Sequence, residues 1–134
     1  MKTKIPIWIN ILQVLILAIL TFQTYACYIN PELFYPGAVT NDASRQVLYV
    51  LGGRNALMAV ISLLALVRQN PRFYSFAFIM HSLRELQDMF ILPLTSEPGA
   101  GAIINFFVFL ILFVIPEITA YFKLNKIADE LEKQ

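Results

Sequence analysis

The stretch that decides the fold runs from Phe73 to Leu94 and reads FYSFAFIMHSLRELQDMFILPL. It is mostly apolar and long enough for a helix that crosses a hydrocarbon core, which takes roughly 20 residues. Within it, His81, Arg84, Glu85 and Asp88 stand at offsets of 0, 3, 4 and 7, and residues so spaced project from one side of an α-helix. Charged groups at bilayer depth cost on the order of several kcal/mol unless paired, which makes them functional candidates by default. The spacing therefore predicts a membrane helix with a single polar stripe.

Three more runs of comparable length surround it: Ile5 to Tyr28, Val47 to Val67 and Ala102 to Phe122. Hydrophobic residues make up 58% of the 134-residue chain, charged residues only 14%, and the mean hydropathy is +0.66. That balance lies outside the usual range of a soluble domain. The connections are too short to hold a further domain. The expected fold is an all-α, four-helix transmembrane bundle occupying residues 1–134 as one domain.

The net charge of +1 says little, whereas its distribution says more. Lys2 and Lys4 precede the first run, Arg68 and Arg72 separate the second from the third, and Lys123, Lys126 and Lys133 follow the fourth. The positive-inside rule puts these three segments, and so both termini, in the cytoplasm. The other two connections carry Glu32, Asp42 and Arg45, then Glu97 alone, which suits the opposite side. A cleavable signal peptide is the rival reading of the first run. Gln13 and Gln23, which a bundle helix can bury, argue against it. Cys27 is the sole cysteine, so no intrachain disulfide forms, and it reads as a small packing residue near the outer interface.

Breaker residues mark the same boundaries: Asn30-Pro31, Tyr35-Pro36-Gly37, Asn70-Pro71, and Pro98-Gly99 with Gly101. Pro116 falls inside the fourth run, where it removes a backbone hydrogen bond and predicts a kink near Glu117. The tail from Ile127 reads as a solvated helical extension. Trp8, Tyr25, Tyr28, Tyr74 and Tyr121 cluster near run ends, as interfacial anchors do.

The second run supplies a partner for the stripe. Arg54 lies seven residues in from Val47, about 10 Å, while Asp88 and Glu85 lie roughly 9 and 14 Å from Leu94 on the same scale. Arg54 is thus level with the acids, which its planar fork can hold bidentately. Gly52 and Ala56 would let the second and third helices approach closely. The runs contain two fixed cations, Arg54 and Arg84, and three acids, Glu85, Asp88 and Glu117. The excess negative charge is balanced by a protonated His81, by a carboxyl kept neutral through desolvation, or by a bound cation. The candidate ligand-binding or proton-relay residues are Arg54, Asn55, His81, Arg84, Glu85, Asp88 and Glu117. A proton or ion path, a ligand site and an inert packing network all remain open readings of this group.

Other chemistry finds no support. One histidine and one cysteine exclude the common zinc and haem motifs, no metal site is expected, and no cofactor is named by any motif. Gly52-Gly53 lies in an apolar run and is not a phosphate loop. Nucleic acid has no basic patch to bind.

The length and four-run plan, the proline-containing first loop around Pro31 and Pro36, the segment Gly52-Gly53-Arg54-Asn55 and the acidic Asp88 together resemble the DoxX-like group of small bacterial membrane proteins. The resemblance covers nearly the whole chain and implies a multi-pass protein of the bacterial inner membrane. Small multidrug exporters share the size but carry their essential acid in the first span, where this chain has none. The expected role is non-enzymatic: binding of a small lipophilic or cationic ligand, or of a membrane partner or second copy. A proton-coupled transporter is one alternative. A membrane isomerase using Glu85 and Asp88 as acid and base, oriented by Arg54, is another.

Overall fold

The computed structural model describes residues 5–33, 39–95, 107–108 and 110–133. Four long helices dominate them: α1 Ile7–Ile29, α2 Asp42–Arg68, α3 Pro71–Thr95 and α4 Ile115–Glu132. A 3-10 turn, Pro31–Leu33, follows α1, and a π-helical turn, Leu110–Val114, leads into α4. No strand occurs among the described residues, so the all-helical expectation holds. Of the four helices, α1 and α2 are both long and apolar enough to cross a membrane. The helix α3 has the length, 25 residues, but carries Arg84, Glu85 and Asp88. Ala102 to Phe106 and Phe109 of the expected fourth run, the loop residues Phe34 to Gly37, and Glu97 to Gly101 lie outside the described residues, as do Lys2 and Lys4.

The chain divides into two compact units, Pro6–Arg68 and Gln69–Gln134 with Met1–Ile5. In the first, α1 buries Ile9, Gln13, Ile16, Leu20 and Cys27, a stripe in steps of three, four and seven that fits a single helix face. The helix stops at Asn30, whose N–H still reaches the Ala26 carbonyl at 3.2 Å; the following Pro31 disfavours a helical conformation there. The α2 side of the pair buries Leu48, Gly52, Asn55, Met58, Ser62 and Ala65.

This helix begins five residues before the expected Val47. Hydropathy marks where a chain turns apolar, whereas caps mark where a helix starts. Ser44 N–H donates to Asn41 Oδ1 at 2.8 Å and Asn41 N–H donates to Ser44 Oγ at 3.1 Å, a reciprocal capping box that satisfies two terminal donors. Asp42 in the first turn adds a favourable charge at the positive end of the helix dipole.

Gly52 makes the close approach expected of a small residue, but toward α1. A Cβ added there would stand 2.9 Å from Cys27 Cβ and 2.9 Å from Tyr28 Cε2. Next to this contact the Tyr28 and Tyr49 rings stack at 5.5 Å, and the Tyr28 hydroxyl donates to the Tyr49 carbonyl at 3.1 Å.

In the second unit, α3 and α4 run antiparallel, joined by polar side chains at three levels. Arg72 reaches Asp129 at 2.7 Å and Glu132 at 3.0 Å; Ser75 Oγ donates to Asn125 Oδ1 at 2.8 Å; Ser82 Oγ donates to Glu117 Oε2 at 3.0 Å. The hydrogen bond to Glu132 is the largest of the influences that raise the Arg72 pKa above its ordinary value. The expected solvated helical tail is present, with Asp129 and Glu132 exposed, and Arg72 clamps it to α3 near its end. The irregularity expected at Pro116 takes the form of the π-helical turn Leu110–Val114, just before the proline at the start of α4. One expectation is corrected. Tyr74 is not an interfacial anchor: it is wholly buried, and its hydroxyl accepts a hydrogen bond from Gln69 Nε2 at 3.1 Å. Gln69 itself takes a left-handed conformation, φ 49°, before the Asn70 cap whose Oδ1 accepts from Phe73 N–H at 3.1 Å.

Candidate functional site

Five of the seven candidate residues belong to the second unit, and four of these converge. His81, Glu85 and Glu117 are buried, with Arg84 largely so. Arg84 pairs with Glu85, its neighbour in sequence. Adjacent residues do not share a helix face, so it is the reach of the guanidinium that closes this pair. The charge of Arg84 also acts on both His81 and Glu117. One guanidinium thus addresses two carboxylates and an imidazole inside the α3–α4 pair.

Glu117 comes from the first turn of α4 and accepts the Ser82 hydroxyl. Ser82 was not among the expected site residues. Its signal was present, since it follows Ser75 by one heptad on the inward face and both serines find polar partners on α4, but those partners appear only once the helix register is known. Asp88, one turn beyond Arg84, is half-buried. The stripe read from the sequence is thus a real face of α3, with its centre at Glu85 and its edge at Asp88.

With both glutamates ionised and His81 neutral, the group of His81, Arg84, Glu85 and Glu117 carries one net negative charge. A proton or a cation at this group would neutralise that charge, and the interior position would strengthen either interaction.

Arg54 and Asn55 stand on the first unit, in α2. Asn55 is buried and Arg54 half-buried, with its charge acting on Cys27. The same unit encloses Ser62, whose hydroxyl donates to the Met58 carbonyl at 2.9 Å, and Gln13. The Gln13 amide has no hydrogen-bond partner among the described residues. No family model matches the chain, and no curated protein or solved structure matches it either.

Proposed function

We propose that the chain is a small multi-pass membrane protein whose second unit holds a cationic or lipophilic ligand, or a membrane partner, at the buried group around Arg84. The observation that carries this reading is the inverted distribution of polarity. Gln13, Asn55, Ser62, His81, Ser82, Glu85 and Glu117 are buried, while Ile7, Val50, Val67, Leu83, Phe90 and Phe122 are between 54% and 77% exposed. Soluble proteins bury their large apolar side chains and rarely expose contiguous patches of them. A bilayer reverses the requirement, since lipid favours an apolar outer face and polar groups pair inside.

In this reading the four apolar runs read from the sequence cross the bilayer, both termini lie in the cytoplasm, and the chain resides in a bacterial inner membrane. The plan-level resemblance to the DoxX-like group accords with that placement. A cation is the ligand class best suited to a group with one more carboxylate than guanidinium. Its apolar part would meet Phe78, Val114 and the other apolar side chains that share the interior of the second unit.

The test is equilibrium binding of tetraphenylphosphonium, a lipophilic cation, to the full-length protein in nanodiscs. Saturable binding is expected for the wild type, weakened about tenfold or more in Glu117→Gln, because the loss of a charge facing a buried ligand typically costs over 1.4 kcal/mol. Binding is also expected to fall as the pH drops and protons compete for the carboxylates. Equal affinity in the two proteins would sink the cation assignment.

A further inference from the structure

Gln87 is an exposed amide on the outward face of α3. Among the described residues of the four apolar runs, the exposed polar side chains other than aromatic ones are Thr21, Gln87 and Thr119. Each threonine hydroxyl donates at 2.8 Å to a carbonyl of its own helix, that of Leu17 or Ile115. Gln87 makes no hydrogen bond among the described residues. It lies seven residues from Leu94, about 10 Å along the axis, so in the membrane reading its amide meets hydrocarbon. No water is there to satisfy it, and an unpartnered amide in such surroundings is costly.

The side chains around it form a seam. Phe73, Phe76, Met80, Leu83, Gln87 and Phe90 follow one another in steps of three, four, three, four and three, and at 100° per residue they span an arc of about 100°. Phe76, Leu83, Gln87 and Phe90 are exposed, Phe73 and Met80 half-buried. Ser75 and Ser82, which α3 turns to α4, lie on the far side of the helix with the buried Phe78 and Glu85. Alternating steps of three and four let two helices interlock as a left-handed pair, the commonest crossing among membrane helices. Between Phe73 and Phe90 the arc carries no charge, and Gln87 is its one polar residue. A single polar side chain in such a seam specifies the register and number of the helices that meet there.

We propose that this face of α3 is where two copies of the chain meet, Gln87 of each hydrogen-bonded to Gln87 of the other. The inference rests on the reading of the chain as membrane-embedded. Two properties select a second copy as the occupant. A carboxamide carries both donors and an acceptor, so it is complementary to itself, and two of them exchange a reciprocal pair of hydrogen bonds. Copies inserted with one orientation also bring their α3 helices together in parallel, about a two-fold axis along the bilayer normal, which sets each residue of the seam opposite its own equivalent. The contact is one helix wide and reversible, so in excess lipid the separate copies turn the same face to acyl chains.

The test is disulfide trapping of the full-length protein in the expressing membranes, with Cys27→Ala removing the sole native thiol. Phe90→Cys, on the seam one turn from Gln87, is expected to give a covalent dimer under mild oxidation. The yield is expected to exceed that of Val50→Cys, which is exposed on α2 at a similar distance from the outer end of its run. A yield no higher at Phe90 than at Val50, or an adduct of any other mass, overturns the proposal. Energy transfer between labelled copies, in vesicles of falling protein-to-lipid ratio, then reads the amide. Gln87→Leu is expected to weaken association by on the order of tenfold, at two interhelical hydrogen bonds of about threefold each, while Gln87→Asn retains most of it. Association unchanged in Gln87→Leu likewise overturns the proposal. Alkaline carbonate extraction separates the two levels of failure. A chain that resists extraction yet forms no dimer through Phe90→Cys loses only the self-pairing, whereas one that washes off loses the membrane reading with it.

Discussion

Arg84→Leu is expected to destabilise the protein by about 3–5 kcal/mol, the range seen when one partner of a buried ion pair is removed. The substitution retains bulk but leaves Glu85 without its guanidinium and Glu117 without the positive charge that faces it. Two buried carboxylates then remain with the Ser82 hydroxyl as the hydrogen-bond donor to one of them. The penalty arises from the uncompensated charges, not from the ion pair's own strength, and this separates two variants. Arg84→Leu with Glu85→Leu removes both partners and is expected to recover more than half of the loss, since apolar replacement of a whole buried pair is often neutral. Thermal unfolding in detergent, followed by intrinsic fluorescence, reads both. A single variant as stable as the wild type would show that Arg84 does not hold the acids together.

Gly52→Val is expected to cost about 3 kcal/mol, at the upper end for overpacking a close contact. The nearest atom to an added Cβ is Cys27 Cβ at 2.9 Å, which is tied to the α1 backbone and cannot swing aside. The Tyr28 ring beside it is held by its stack on Tyr49 and by its hydrogen bond to the Tyr49 carbonyl. Relief therefore requires α1 and α2 to separate, which loosens contacts along their whole seam. Gly53→Ala provides the control. There the nearest atom is the Tyr28 hydroxyl at 3.3 Å, the end of a side chain, and the gain in helix propensity of about 1 kcal/mol opposes the crowding. A change within about 1 kcal/mol is expected. Unfolding midpoints that fall equally in the two variants would mean that the close approach of α1 at Gly52 is not a tight constraint.

The sequence made some features plain for physical reasons and concealed others for equally physical ones. Apolar runs of about 20 residues and the breakers Asn30-Pro31 and Asn70-Pro71 expose α1, α2 and α3, because hydropathy and backbone restriction are local properties. The early start of α2 was legible only as a cap: Asn41-Asp42-Ala43-Ser44 is polar, so a hydropathy reading discards it, yet its side chains close the helix end. The polar stripe of α3 was legible from spacing alone. Its partners were not, since Ser82 with Glu117 and Ser75 with Asn125 depend on how two helices are aligned. Tyr74 misled because an aromatic residue near a helix end is an anchor only if its ring faces outward, and a single sequence does not fix that rotation against α4. The tail was read as helical and solvated, which it is, but its clamp was hidden for the same reason: Arg72, Asp129 and Glu132 meet across 57 and 60 residues of sequence.

The claim on which the functional reading rests is that the outer face of α3, the helix that carries the ionisable stripe, meets lipid. Leu83 tests it directly, being exposed, adjacent to Ser82 and therefore level with Glu117. Trp8 is the only tryptophan, so a Trp8→Phe, Leu83→Trp variant carries one fluorophore at the depth of the site. The full-length variant, reconstituted in phospholipid with brominated acyl chains, is expected to show strong quenching by the bromines and little by aqueous iodide. Efficient quenching by iodide with none from the brominated chains would place this face in water and contradict the account.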